Sequence, residues 1–367
     1  MIRRVLFALA LFNATPALAQ TEIEVDDDAG WVHQWTSLSA PTEMAGFERG
    51  SITDFSANQL NIGIAYNLDG GSTWATLYIY RPGLLDVSLW QDRALAALLE
   101  NSTFGTFDVT EAIAGNFTPR SGGGTDSGTI LYGPLSGSRP TATGIVLYPH
   151  DGWLVKVRMT STELDQAEIG QLLIEFVSDI ELPDATVRYP AARIIEPCED
   201  TLEFNDTDRR GAIGMPRLLM VTTQISMMRS FGDDDEVPDE AANVADRGFC
   251  REAGSSAAAG VYRANGDQRS YVLALGDSGM AIGVGQFELA EMVVNQDRGD
   301  RFAGTGGRDY WITFSNEERT NIYTPFAGLP SPNKVIETIQ SEGPTAAVVF
   351  EPEGGTNIIL PSLSAEE

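Results

Sequence analysis

Short runs of alternating apolar and polar residues, closed by turns rich in Gly, Asn and Asp, recur along the whole chain. They constrain the fold more than any other feature, because period-two patterning suits a sheet with one buried face. Leu60, Ile62, Ile64 and Tyr66 alternate, Asn67-Leu-Asp-Gly-Gly71 supplies turn chemistry, and Thr73–Arg81 reads as the returning strand before Pro82-Gly83. A hairpin over Gln59–Arg81 follows. Ala142–Tyr148 and Trp153–Met159 form another, joined by Pro149-His-Asp-Gly152. In its second strand Trp153, Val155, Val157 and Met159 share one face. Lys156 and Arg158 point the other way, toward water or toward acids.

Two helices interrupt the strands. Asp86 is placed to cap the first, and Val87, Trp90, Ala94, Leu95, Leu98 and Leu99 fall on one face before Asn101 stops it. In the second, Thr162 with Asp165 resembles a capping box, and Ile169, Leu172, Leu173, Phe176, Val177 and Ile180 make a stripe ended by Leu182-Pro183. Ser121-Gly-Gly-Gly-Thr125 reads as a flexible loop. This order predicts helices packed on an antiparallel sheet.

After a linker over Ala185–Arg193 the pattern resumes, richer in strand. Leu218–Ser230 and Asp239–Arg247 are predicted helical. Gly260–Ala264 and Arg269–Leu275 flank Asn265-Gly-Asp267, a type I′ turn candidate. Met280–Val284 follows Gly276-Asp-Ser-Gly279. Asp309–Ser315 pairs with Thr320–Thr324 across Asn316-Glu317. Ser331 caps a helix with Pro332 at its first position, running to about Gln340. Thr345–Phe350 and Asn357–Leu360 close around Glu353-Gly-Gly355, and Ser362–Glu367 is a loose tail. The fold class expected is α+β in two domains, residues 20–185 and 190–362, each an antiparallel sheet with packed helices.

Gly46-Phe47-Glu48-Arg49, the Leu60–Tyr66 strand, Ala75-Thr-Leu-Tyr-Ile-Tyr-Arg81 and Gly152-Trp-Leu-Val-Lys-Val-Arg158, followed by the amphipathic helix, occur in an order that resembles the PsbP-like fold. The resemblance covers the first half alone and rests on pattern rather than on a ligand motif. It implies an antiparallel sheet between helices and an accessory or binding role, and it carries over no functional residue.

Residues 1–19 read as a cleavable signal peptide. Arg3 and Arg4 precede the apolar run Val5–Phe12, and Ala17-Leu18-Ala19 offers a small-x-small cleavage site before Gln20. The run is too short to span a bilayer, and no later stretch approaches a membrane span. A periplasmic or secreted protein is expected. The chain has 24 Lys and Arg against 52 Asp and Glu, a net charge of −28. Removing the leader takes two arginines and no acid. Such a field disfavours nucleic acid and anionic lipid as partners and leaves room for an envelope protein partner. The 348 remaining residues suffice for two cores. Only Lys156 and Lys334 are lysines, so arginines carry most of the positive charge and are expected to pair locally with acids.

Cys198 and Cys250 are the only cysteines, and in an oxidising compartment they are expected to pair. Their loop encloses the acidic run Phe231–Glu240.

No cofactor, metal or catalytic motif is complete. Gly276-Asp-Ser-Gly279 resembles the nucleophile loop of chymotrypsin-like serine proteases, but Met280 stands where that family has another Gly. Neither His33 nor His150 lies in a general-base context. Trp31, His33 and Trp35 share one face of an extended segment, as in a packed aromatic edge, and His150 is expected to be solvated in its turn. Asp206-Thr-Asp208-Arg-Arg-Gly211 has Arg210 and Arg217 at positions that an EF-hand gives to ligands. Asp26-Asp27-Asp28 and Asp233-Asp234-Asp235 are the remaining weak calcium candidates. A non-catalytic envelope accessory or binding protein is the leading reading. A secreted hydrolase using Ser278, or an acidic calcium-responsive protein, stays open.

Overall fold

The computed structural model describes residues 20–26, 28–56, 58–100, 105–137, 139–206, 209–210, 213–230, 248–287, 309–351 and 355–360. Residues 1–19, which read as a leader, the segment 231–247 with its acidic run and expected helix, and residues 361–367 lie outside this set.

The chain is α+β, built on two large sheets. The first unites β1 (Thr21–Ile23), β4 (Glu43–Met44), β5 (Phe47–Asp54), β6 (Asn61–Leu68), β7 (Thr73–Tyr80), β8 (Thr106–Phe107), β9 (Ile113–Phe117), β10 (Gly128–Ser136), β11 (Ala142–His150) and β12 (Trp153–Ser161). Its order is β1-β5-β6-β7-β12-β11-β10-β8, with β4 on β5 and β9 on β10. Its pairings are antiparallel. β2 (Trp31–Val32) and β3 (Ser39–Ala40) form a separate ribbon. The second sheet runs in sequence order through β13 (Glu196–Pro197), β14 (Phe249–Arg251), β15 (Ala259–Ala264), β16 (Tyr271–Leu275), β17 (Met280–Gly285), β18 (Tyr310–Ser315), β19 (Arg319–Phe326), β20 (Ala346–Phe350) and β21 (Thr356–Ile359). It is antiparallel except where β13 lies parallel to β14. Four α-helices and a short 3-10 turn at Asp69–Gly71 complete the described fold: the α-helices are α1 (Val87–Glu100), α2 (Gln166–Ser178), α3 (Met215–Ser230) and α4 (Pro332–Ser341).

Strand alternation assigns the two faces of the first sheet. Trp153, Val155, Val157 and Met159 join Phe176, Ile169 and Leu173 of α2 in one core. Phe176 lies edge-on to Phe47 and Tyr66, both at 5.3 Å. The opposite face is also covered, so every residue of β11 is buried. There Tyr80, Leu147 and Leu154 pack with Trp90 of α1 and with Tyr262, Ala274 and Ala281 of the second sheet. The two sheets therefore share a core.

Local chemistry explains most boundaries. The N-cap of α2 is Asp165, whose carboxylate accepts from the amides of Ala167 and Glu168 while Glu168 accepts from the Asp165 amide. The box therefore begins three residues later than the Thr162 reading. Thr162 instead donates its hydroxyl to Ser72 O, at 3.1 Å. Ser331 caps α4 by accepting from Lys334 N, with Pro332 at the first position, as its sequence predicts. The Asn265-Gly266 turn departs from type I′, which needs positive φ at both central residues. Gly266 alone has it, and the ladder of β15 and β16 reaches only Tyr262–Val272. The Asp267 carboxylate accepts from Arg269 N and Ser270 Oγ and widens the loop.

The glycine loop at 121–125 is held rather than free. Ala185 N donates to Ser121 O at 2.6 Å and Tyr189 N to Gly123 O at 2.7 Å. A Cβ on Gly124 would stand 2.2 Å from Tyr189 O, so only glycine admits this approach. The segment that reads as a linker is thus hydrogen-bonded along the first sheet.

Cys198 and Cys250 form a disulfide joining the residue after β13 to β14. Beside it the buried Arg263 donates to the Glu252 carboxylate, to Asp267 O and to Asp200. A loop of about 53 residues is worth roughly 4 kcal/mol in the chain-entropy model. Replacing both cysteines by serine should lower unfolding stability by about 2–4 kcal/mol in urea titration; an unchanged midpoint contradicts a structural role for the bond.

Candidate functional site

The concentration of charge at the shared core marks the candidate site. α1 places Asp92 and Arg93 side by side, 9% and 0% exposed. A buried guanidinium needs acceptors for its donors, and the second sheet supplies carbonyls. Arg93 Nε donates to Gly276 O at 2.9 Å, and Nη2 donates to Ser256 O at 2.7 Å and Ala257 O at 2.5 Å. Asp92 accepts from Tyr262 Oη at 2.6 Å and pairs with Arg251. At the end of α1, Glu100 Oε1 accepts from Ala257 N at 2.6 Å. Both strands of the β15–β16 hairpin are thereby fastened to one helix at the hairpin's open end.

The Gly276-Asp-Ser-Gly279 turn, the most enzyme-like string in the sequence, belongs to this seam. Lys156 Nζ reaches Asp277 O at 3.1 Å and Asp277 Oδ2 at 3.2 Å. Its ammonium also lies 4.9 Å and 5.6 Å from the ring centres of Tyr78 and Tyr80, within cation–π range. Of the two orientations expected for Lys156, water or acids, the structure shows the acid. Gly279 O accepts from Gly83 N at 2.7 Å. Gly279 has φ +84°, and a Cβ there would stand 2.8 Å from the Tyr80 ring. A Cβ on Gly83 would stand 2.5 Å from Ser315 O. Backbone meets backbone here because both positions are glycine.

Burial acts on these groups in opposing directions. For Asp277, burial would raise the carboxyl pKa, but the Lys156 ammonium and then Arg158 outweigh it and hold the value below the ordinary one. Burial pushes the Tyr80 phenol up, with the Asp277 charge adding to it. Burial and then Asp92 do the same for Tyr262. Asp86, which accepts from Leu89 N at 2.7 Å and so caps α1 as expected, is pushed up to about 6 by burial.

Ser278 donates its hydroxyl to Leu275 O at 2.9 Å, an ordinary turn contact. The histidines lie elsewhere. His33 is fully buried, with its ring nitrogens 2.8 Å from Thr36 Oγ1 and from Gln59 O. It packs against Trp31 at 5.7 Å and edge-on to Trp153 at 5.0 Å, on the α2 side of the first sheet. The packed aromatic edge is therefore present, with a different membership. The chain turns after Val32, and Trp35 Nε1 donates to Asn58 O while Trp153 completes the cluster. His150 is 2% exposed, contrary to the solvated position expected for it. The segment after α2 covers its hairpin: Asp151 accepts from Thr186 N and Val187 N, and Tyr189 Oη accepts from Gly152 N. By alternation His150 projects on the same face as Tyr148, the α2 side. The first sheet thus stands between both imidazoles and the Ser278 turn.

The calcium candidates are placed only in part. Asp206 accepts from Ser331 N and Oγ and so braces the start of α4. Thr207, Asp208, Gly211, Asp27 and Asp233–Asp235 lie outside the described residues. Among the described residues no group of three or more His, Cys, Asp or Glu is arranged to hold a metal ion. No described helix is long and apolar enough to cross a membrane.

Sequence reasoning missed Asp92, Arg93, Arg251 and Tyr262. The available signal was two adjacent charges inside an otherwise apolar helix. The single stripe drawn for α1 also includes Leu99, which is 45% exposed, because the helix is buried on two sides rather than one. No family model matches the chain, and no curated protein matches it.

The pair at the turn gives a signed pH test. In the native protein the depressed Asp277 carboxyl contributes stability above its ordinary value of 3.8, lost as pH falls through the lower folded value. Lys156→Met removes the main counter-charge and leaves burial to raise that carboxyl. The variant should then lose stability as pH rises from about 4 to 7, and at neutral pH it should be about 1–3 kcal/mol less stable. This is below the cost of breaking a fully buried pair because the Asp277 side chain is 33% exposed. Parallel stability–pH curves for the two proteins would refute the assignment.

Proposed function

We propose that the chain is an exported, non-catalytic accessory or binding protein of a bacterial envelope, with a PsbP-like first part and an envelope protein as partner. One observation carries the reading. The only string that resembles a nucleophile loop, Gly276–Gly279, is engaged in joining the two sheets through Lys156, Arg93 and Gly83. A serine nucleophile needs an adjacent base, and Ser278 contacts a turn carbonyl while both imidazoles lie on the far side of the first sheet. The leader-like residues Met1–Ala19, the disulfide and the acidic composition favour an extracytoplasmic setting. The strand and helix order of the first sheet supports the PsbP-like element of the proposal, and that likeness argues for binding rather than turnover.

The test uses the full-length gene expressed in its own type of host. The envelope fraction should contain a protein beginning at Gln20 that a fluorophosphonate probe leaves unlabelled. Probe labelling abolished by Ser278→Ala would replace this reading with a hydrolase. Retention inside spheroplasts with Met1 attached would remove the envelope.

A further inference from the structure

The outer edge of the first sheet at β9 is exposed along most of its length. β9 pairs with β10 on one side, and no other described strand pairs with it. Ile113, Ala114, Gly115 and Asn116 are all exposed. Natural edge strands are usually guarded by charge, proline or a bulge. β1 carries Glu22, and β13 carries Glu196 and Pro197. β21, Thr-Asn-Ile-Ile, carries no charge either, but beyond Gly355 and Leu360 the chain passes into residues outside the described set on both sides. β9, Ile-Ala-Gly-Asn-Phe, has no such guard in a chain whose residues are 21% charged.

The surroundings of β9 indicate what covers it. Gln166 Nε2, at the start of α2, donates to Glu111 O at 2.5 Å, and Arg120 Nη1 donates to Ser178 O, at its end, at 2.5 Å. α2, packed over β10–β12, is therefore tied at both ends to the residues that precede and follow β9. Residues 166, 170, 174 and 178 form one line of the helix, spaced four apart, and both ends of that line touch the residues flanking β9. Ile174 on this line is 55% exposed and Ile113 is 49% exposed. Two exposed isoleucines, one on α2 and one on β9, thus stand on the α2 side of an edge that no other described strand pairs. Exposed Glu111 lies just before the strand and exposed Arg120 just after it.

We infer that two copies of this protein associate by antiparallel pairing of β9 with β9 about a two-fold axis at Gly115. In that register Ile113 of one copy stands opposite Phe117 of the other, Ala114 opposite Asn116, and Gly115 opposite itself. Glu111 of one copy falls one residue from the register position of Arg120 of the other, at both ends, so the flanks are complementary in charge. The axis is normal to the sheet, and both α2 helices lie on one face with Ile174 of each bordering the junction. The net charge of −28 opposes association at long range and is screened beyond about 8 Å at physiological salt. The inference is independent of the proposed function.

The protein should sediment as a concentration-dependent dimer at physiological salt, and Ile113→Lys should weaken association about tenfold or more. Register is read by cross-linking. A Cβ at Gly115 meets only Ile130 Cγ2, at 3.9 Å, so cysteine fits there. Directly opposed residues of an antiparallel pair lie about 4.5–5.5 Å apart, within disulfide reach. Gly115→Cys should therefore form an intermolecular disulfide. Ala114→Cys should not, yet it should cross-link when mixed with Asn116→Cys, which keeps the test decisive if Gly115→Cys fails to fold. A protein that stays monomeric, or a dimer indifferent to Ile113→Lys and to cysteine position, overturns the inference. A monomer that instead binds an added extended peptide along β9 assigns the edge to a foreign strand.

Discussion

The guanidinium of Arg93, buried between α1 and the loops of the second sheet, is the contact on which the architecture turns. It sits in a medium where an unpaired charge would cost several kcal/mol, and its solvation comes from three main-chain carbonyls of the other sheet. Those carbonyls lie on two loops at one end of the β15–β16 hairpin, where Gly276 N also donates to Ala258 O. Displacing the second sheet would therefore strand the charge of α1 and the acceptors of the hairpin together. Asp92, with Tyr262 and Arg251, repeats the arrangement with the sign reversed. The two sheets, which sequence length alone would allow to be independent, are bound as one unit by groups that neither can satisfy by itself.

The disulfide and the Arg263 cluster extend this logic inward. Cys250 and Arg251 are neighbours on β14, so the bond to Cys198 fixes the strand that presents Arg251 to Asp92. Glu252, the next residue, accepts from Arg263. The paucity of lysine has a structural counterpart: Arg93 and Arg263 each engage several carbonyls or carboxylates through a planar fork, a geometry unsuited to an ammonium. Lys156 holds the one seam position where a compact charge meets two aromatic rings and a single carboxylate.

Much of the fold is legible from patterning. The hairpins over β6–β7 and β11–β12, the apolar stripe of α2 and the Ser331-Pro332 start of α4 occur where period and cap chemistry put them. β10 escapes such reading because Gly128, Gly133 and Pro134 interrupt its alternation, and pairing with β9 and β11 holds it extended. His150 escapes it because a turn is solvent-exposed only when no later segment covers it, and residues 186–189 do. The seam is the least legible part. Its partners are separated by more than a hundred residues, and no local period announces that Asp92 will meet Tyr262 or that Lys156 will meet Asp277.

The account holds that the two sheets unfold together. Trp153 reports on the first sheet and Trp311 on the second, so urea unfolding of single-tryptophan variants that keep one or the other measures each separately. Coincident midpoints, moving downward together in Arg93→Met, are the expected result. Two separated transitions in the native protein, with the second sheet indifferent to Arg93→Met, would contradict it.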